Sequence, residues 1–268
     1  MKKERIDILL VEQGLAESRE RAKRSIMAGL VLADGERIDK AGAKVNIDAK
    51  LSIKGEVLPY VSRGGLKLQR AIEVFDLSLA GKVMLDIGSS TGGFTDCALQ
   101  NGAEHVYALD VGYNQLAWKL RQDERVTVME RTNFRYAKPE DFTGAKPDFA
   151  TFDVSFISIR LLLPVLQTII QPNSGIMTLV KPQFEAGRDE VGKKGIIRDR
   201  HIHERVLSDL TDFSESLGYT IEGLAPSPVR GGEGNIEFLM HMSASDSCRR
   251  PFDRTMIKKV VTEAHQSG

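Results

Sequence analysis

From Lys82 to Met242 the chain alternates between short apolar runs and stretches of helical periodicity. The apolar runs are VMLDIG, HVYALDV, VTVME, FATFDVSF, GIMTLVK, TIEGLAPSPV and NIEFLMHM, seven in all. Near-continuous apolar character, rather than one apolar residue in two, fits strands covered on both faces. Alternation with helices then restricts the chain to a doubly wound, mostly parallel α/β sheet. Such sheets hold their ligands beyond the carboxyl ends of their strands. One run is odd at that place: GIMTLV ends in Lys181 and is stopped at once by Pro182. The ordinary account of an ammonium group there is that it reaches water at the rim. The polar residues at the other strand ends decide whether that account suffices.

Lys+Arg and Asp+Glu number 37 each, so no global positive field announces a nucleic-acid partner. The balance is uneven along the chain, since Met1–Arg70 carries 15 basic and 10 acidic residues. Two cysteines, Cys97 and Cys248, argue for a reducing compartment and against a disulfide framework. MKKERIDILLVEQG has acids within its apolar part and lacks a signal-peptide layout. No apolar run approaches the roughly 20 residues of a membrane span. A cytoplasmic protein without a membrane partner is expected. The five histidines show no ligand spacing, and no metal is expected.

Residues 4 to 28 carry two helical patterns, the first ended by Gly14 and the second capped by Ser18. GLVLADGERI then reads as a hairpin turning at Asp34-Gly35, and VNIDAKLSIK as a strand. The second helix presents Arg19, Arg21, Lys23 and Arg24 against one acid, Glu20. The pattern R-x-D-x-L-L-x-x-x-G-x-x-x-S-R-x-x-A-x-x-x-I-x-x-G-x-V, from Arg5 to Val31, resembles the αL-type RNA-binding domain of a small-subunit ribosomal protein and many RNA-modifying enzymes. That resemblance implies RNA contacts by Arg5, Ser18, Arg19, Lys23 and Arg24, joined by Arg63. Such contacts position a protein on phosphates without reading bases. The expected organisation is a small α+β RNA-binding domain over 1–58, a linker over 59–66, the α/β domain over 67–243, and a tail over 244–268.

The first strand of the α/β domain runs into DIGSSTGGFTDCALQNG. A glycine turn between strand and helix lets backbone approach a nucleotide closely. Neither the dinucleotide spacing G-x-G-x-x-G nor a Gly-Lys-Ser/Thr phosphate loop is present. Instead D-x-G-x-x-x-G-G, with Asp110 ending the next strand, resembles S-adenosylmethionine-dependent methyltransferases. The resemblance implies a Rossmann-like methyltransferase fold of seven mostly parallel strands. It also implies S-adenosyl-L-methionine as cofactor, with Asp86, Gly88, Ser90, Gly92, Gly93 and Phe94 around the turn. Asp110 would accept bonds from the ribose hydroxyls, and Asn133 and Phe134 would grip adenine.

The fourth strand is followed by Asp153-Val154-Ser155-Phe156, not the Asn/Asp-Pro-Pro-aromatic stretch of amine methyltransferases. Cys97 lies among Ala98 and Leu99 as core packing, so no nucleophile for carbon methylation is in place. Lys67, Asp153, Lys181 and Glu237 remain, and Lys-Asp-Lys-Glu resembles the tetrad of FtsJ-like ribose 2′-O-methyltransferases. With SRGGLKL, LDIGSSTGGFTD, DVSFIS, LVKPQFE and GNIEF, the chain to about Met242 resembles the TlyA family, also labelled haemolysin A. That resemblance implies methylation of cytidine in ribosomal RNA, with ribosomal subunits as partners. A ribose hydroxyl is a very weak acid, so a group must take its proton. Lys181 is the candidate base, with Lys67 orienting the hydroxyl and Asp153 and Glu237 placing the lysines. EAGRDEVGKKGIIRD, polar and rich in glycine, reads as a substrate loop. Two other classes stand beside this reading. One is a membrane-acting cytolysin, against which counts the absence of an export signal, a span and a strongly amphipathic basic helix in this sequence. The other is a non-catalytic RNA-binding assembly factor, which has no need of four ionisable strand-end residues.

Overall fold

The computed structural model describes residues 3–27, 29–55, 58–231, 234–244 and 252–266, so Cys248 lies outside it. The chain parts into two units after Pro59. The first holds β1 (Lys3–Arg5), α1 (Ile6–Glu12), α2 (Arg19–Met27), β2 (Val31–Ala33), β3 (Glu36–Ile38), β4 (Lys44–Asn46) and β5 (Leu51–Ile53). Ile6, Leu10, Ala22, Ile26 and Val31 close its core. The β2–β3 hairpin turns at Asp34 and Gly35, with φ of 51° and 87°. Two consecutive left-handed residues are what a type I′ turn requires, hence Asp-Gly. VNIDAKLSIK is not one strand: β4 pairs with β1 while β5 pairs with β2 in a separate sheet. Asn46 and Asp48 break the run, the Asn46 side chain accepting from the Asp48 amide at 3.4 Å.

The second unit runs α3 (Gly64–Phe75), β6 (Val83–Ile87), α4 (Gly93–Gln100), β7 (His105–Leu109), α5 (Trp118–Arg121), β8 (Val126–Met129), β9 (Phe149–Phe152), α6 (Leu163–Ile169), β10 (Gly175–Val180), α7 (Pro182–Glu185), α8 (Arg200–Ser216), β11 (Thr220–Pro226), β12 (Phe238–Ser243) and α9 (Thr255–Gln266). Among the described residues these strands make one seven-stranded sheet, ordered β11-β12-β10-β9-β6-β7-β8. Only β12 runs antiparallel to its neighbours. One face packs Leu68, Ala71, Phe94, Cys97, Leu116 and Leu120 from α3, α4 and the α5 region. The other packs Leu163, Leu166, Val206, Leu207, Val260 and Val261 from α6, α8 and α9. Covering on both faces explains why the strands read as unbroken apolar runs. From β6 the strand order runs outward in both directions, so the crevice for a ligand lies where β6 meets β9.

Three boundaries differ from the sequence reading. Residues 60–63, expected within a linker, pack into the second unit, because the buried Asp96 carboxylate accepts from the Val61 amide at 2.8 Å. Residues 235–237 stand outside β12: the amides of Ser227 and Gly231 bond the carbonyls of Glu237 and Asn235, spending on a loop what a ladder would use. Glu237 therefore precedes the last strand instead of lying on it. The 244–268 segment, given no pattern above, carries α9, which buries Ile257, Val260, Val261 and Ala264.

Candidate active site

The β6 strand ends at Ile87 and the chain turns sharply through Gly88 and Ser89, whose amides both donate to the Leu109 carbonyl, at 2.9 and 3.1 Å. Gly88 has φ 87°, and a Cβ there would sit 2.6 Å from the Asp153 carbonyl oxygen. No other residue allows β6 and β9 to meet this closely while the chain reverses. Gly92 has φ 95°, where a Cβ would run into Leu116 and Leu120. Two cavities open beside this turn and share Gly88, Ser90, Asp153 and Ser155.

The first cavity, about 510 Å³, is largely apolar and lined by Leu109, Asp110, Val111, Asn133, Phe134 and Ile157 among others. Asp110 accepts from the Ser90 amide at 2.8 Å and from the Gly112 amide at 2.7 Å, one bond to each oxygen. Each carboxylate oxygen keeps a lone pair for a further donor. Phe134 is buried edge-on against Phe152. Asn133 caps the turn at Phe134–Tyr136 by accepting from the Arg135 amide at 3.1 Å.

The second cavity, about 370 Å³, is polar and gathers Lys67, Asp153, Lys181 and Glu237 from four separate segments. Lys67 contacts Glu237 at 2.7 Å and Asp153 at 4.0 Å. Lys181 contacts the other Asp153 oxygen at 2.6 Å and donates to the Ser155 hydroxyl at 3.1 Å. Both lysines are only 8% exposed and Glu237 3%. Two lysines and two carboxylic side chains thus meet in one cavity, three of the four almost wholly buried. Apolar side chains of similar volume are often equally or more stabilising than such a cluster, so stability gives no account of it. Ionisable groups gathered in a cleft point to chemistry.

The expected site residues divide. Gly88, Ser90, Gly93, Phe94, Asp110, Asn133, Phe134 and Arg63 line the two cavities with the four ionisable residues. Asp86 does not reach them: it is fully buried beneath the turn, accepting from the Thr95 amide and hydroxyl at 3.1 and 2.7 Å and from the Thr151 hydroxyl at 3.1 Å. Burial pushes its carboxyl up to about 7. Gly92 lines neither cavity and serves the packing of the turn. In the first unit Arg5 and Arg19 both bond to Asp7, and Lys23 pairs with Glu20 at 2.7 Å. The Ser18 hydroxyl caps α2 by accepting from the Arg21 amide at 3.2 Å. Arg24 is exposed, with no ion pair among the described residues. Sequence reasoning did not single out Ser62, Ser155 or Arg230, which also line the polar cavity. Ser155 had a signal, its place two residues after Asp153. Ser62 and Arg230 had none.

A doubly wound sheet with one antiparallel strand, a glycine turn over an apolar cavity and an acid at the neighbouring strand end defines an S-adenosylmethionine-dependent methyltransferase. Residues 60–244 match the FtsJ-like methyltransferase family and residues 4–50 the S4 domain. The chain belongs to the FtsJ-like methyltransferases, in the group that carries the TlyA and haemolysin A names. It is 60% identical to YqxC of Bacillus subtilis over 99% of this chain and 95% of that protein. It is 40% identical to the 16S/23S rRNA (cytidine-2′-O)-methyltransferase TlyA of Mycobacterium tuberculosis, over 97% of this chain and 95% of that protein. A solved structure from Streptococcus thermophilus, under a haemolysin label, is 55% identical, with a TM-score of 0.78 over 100% of this chain and 97% of that one. Among the described residues no helix is long and apolar enough to cross a membrane, and no group of three metal-ligating side chains occurs.

Proposed function

We propose that this protein transfers a methyl group to the ribose 2′-hydroxyl of a cytidine in ribosomal RNA, acting on ribosomal subunits in the cytoplasm. The observation that carries the reading is the closure of Lys67, Asp153, Lys181 and Glu237 on one polar cavity, next to the glycine turn. The cofactor residues fit their ligand: Gly88 lets the turn pass close over β9 at the edge of both cavities, and Asp110 keeps free lone pairs beside the apolar one. When bound, S-adenosylmethionine supplies an electrophilic methyl group.

The chain's own residues do the rest. Asp153 sits between the lysines and holds Lys181 at 2.6 Å, while Glu237 holds Lys67 at 2.7 Å. Lys67 places the ribose oxygen by hydrogen bonding. Lys181, in its amine form, takes the hydroxyl proton at Nζ as the oxygen attacks. Alignment of oxygen and methyl group supplies much of the acceleration. Asn133 and Phe134 serve adenine, Asp110 the cofactor ribose, and Gly88, Ser90, Gly93 and Phe94 the methionine side of the turn. The 1–58 domain, with Arg5, Ser18, Arg19, Lys23 and Arg24, anchors RNA phosphates, and Arg63 meets RNA at the lining of the polar cavity. The test is to map 2′-O-methyl positions in ribosomal RNA from cells with and without the protein, then restore them with purified protein and cofactor. No difference in the maps would sink the reading.

A further inference from the structure

Asp7 lies in the first turn of α1 in the first unit and is fully buried, whereas the two arginines on it remain 40% and 53% exposed. Arg5 donates from Nε to Oδ1 at 2.9 Å and from Nη2 to Oδ2 at 3.1 Å. Arg19 donates from Nη2 to Oδ2 at 2.9 Å. The Arg5 hydrogen bonds, joined by Arg19 and opposed by burial, hold the Asp7 carboxyl down at about 2. It is therefore an anion at every working pH. A guanidinium carries five N–H donors. Arg5 spends two of its five on Asp7 and Arg19 spends one, so each keeps several for another acceptor.

A residue in an RNA-binding surface that adds negative charge should weaken binding through the field it creates. Asp7 does something else as well. It ties together arginines from two elements, β1 and α2, that are 14 residues apart in sequence, fixing the plane of the Arg5 fork by two bonds and tethering Arg19 by one. Planar forks held in advance suit phosphate oxygens, because less side-chain freedom is lost when the bonds form. We propose that Asp7 is a positioning residue for RNA binding, presenting Arg5 and Arg19 as a fixed pair to neighbouring backbone phosphates. The inference rests on the reading of the N-terminal unit as an RNA anchor.

The two effects have opposite signs, which makes the test direct. Binding of the full chain to an unmodified 23S rRNA transcript is measured across salt for the parent, Asp7→Asn, Arg5→Ala/Arg19→Ala and the triple variant, each below its melting temperature. Asp7→Asn should weaken binding about five- to tenfold, the cost of ordering two long side chains on binding. The same change in the Arg5→Ala/Arg19→Ala background should weaken nothing. Binding by Asp7→Asn that equals or exceeds the parent's overturns the proposal. So does a weakening that persists without the arginines, since Asp7 would then act through the fold alone. Should Asp7→Asn not fold, Arg19→Lys keeps the charge and removes the fork. Weaker binding by that variant supports positioning, and unchanged binding overturns it. A parent chain that fails to bind the transcript sinks the RNA-anchor reading together with this one, whereas a binding parent with an indifferent Asp7 sinks only the latter.

Discussion

One charge cluster from each unit, that around Asp7 and that around Asp153, makes a pair built inside out relative to each other. Around Asp7 the carboxylate is buried and the cations stand half in water. Around Asp153 the cations are buried, Lys67 and Lys181 both at 8% exposure. The first arrangement desolvates one charge and leaves donors available to a partner. The second desolvates three groups almost completely and leaves nothing for a partner except what enters the cavity. Cations shown to solvent suit the electrostatic capture of a polyanion. Lysines enclosed with carboxylates in a cavity suit proton transfer, where water would compete.

The sharpest way to break this comparison is at Lys181. Lys181→Ala should bind cofactor and RNA nearly as the parent does and lose about 10² to 10⁴-fold in single-turnover methyl transfer, the usual share of base catalysis. Lys181→Arg should fail as well, because a guanidinium does not give up its proton. Near-parent activity in the arginine variant would mean that the enclosed cluster supplies positive charge alone.

Next in size is Asp110, which marks the boundary of the apolar cavity. Asp110→Ala removes an ionised acceptor of the kind that contributes about 1.5 to 3 kcal/mol per hydrogen bond. Calorimetry should show cofactor affinity falling by an order of magnitude or more, with RNA affinity unchanged. An equal fall in both affinities would mean that Asp110 supports the fold around Ser90 and Gly112 rather than the cofactor.

A smaller, graded effect belongs to the exposed cations. A protein beginning at Tyr60 should keep cofactor affinity and bind rRNA with a shallower salt dependence. Every phosphate that the shortened protein no longer neutralises should lower the slope by about 0.7 to 0.9 log units per log unit of salt. An unchanged slope would place the RNA anchor elsewhere.

Much of this contrast was legible in the sequence, and what was not has a common cause. The strands of the sheet are apolar on both faces because helices cover both, and that pattern survives in one dimension. The polar strand ends Asp153 and Lys181 stand out against it for the same reason. Glu237 was legible as a residue and not as a position: its backbone belongs to a loop tied to Ser227, a pairing that no periodicity encodes. The same holds for Tyr60–Arg63, drawn into the second unit by Asp96, 35 residues beyond Val61. Asp86 misled in a different way. Its place in the motif suggests the cofactor, yet strand alternation aims it beneath the turn, where the Thr95 amide and the Thr95 and Thr151 hydroxyls donate to it.

Asp86 also tests the comparison most finely, because it is a buried carboxyl with no cation bonded to it among the described residues. Burial raises its carboxyl from 3.8 to about 7, so the folded chain holds a proton there where the unfolded chain has already lost it. The sign follows: the contribution to stability is fully present below pH 3.8 and is lost as pH rises through about 7. This is the reverse of Asp7, whose lowered carboxyl contributes stability above its ordinary value and loses it only in strong acid. Asp86→Asn is neutral throughout, and its amide can still accept from Thr95 and donate to Thr151. The melting temperature of the parent, relative to Asp86→Asn, should therefore fall between pH 5 and pH 8, with methyl transfer at pH 6 little changed. A difference that stays constant across that range would show Asp86 ionised in the fold at all these values. Hydroxyls and a backbone amide would then be enough to hold a buried charge here, and the cations around Asp153 would need no electrostatic explanation beyond catalysis.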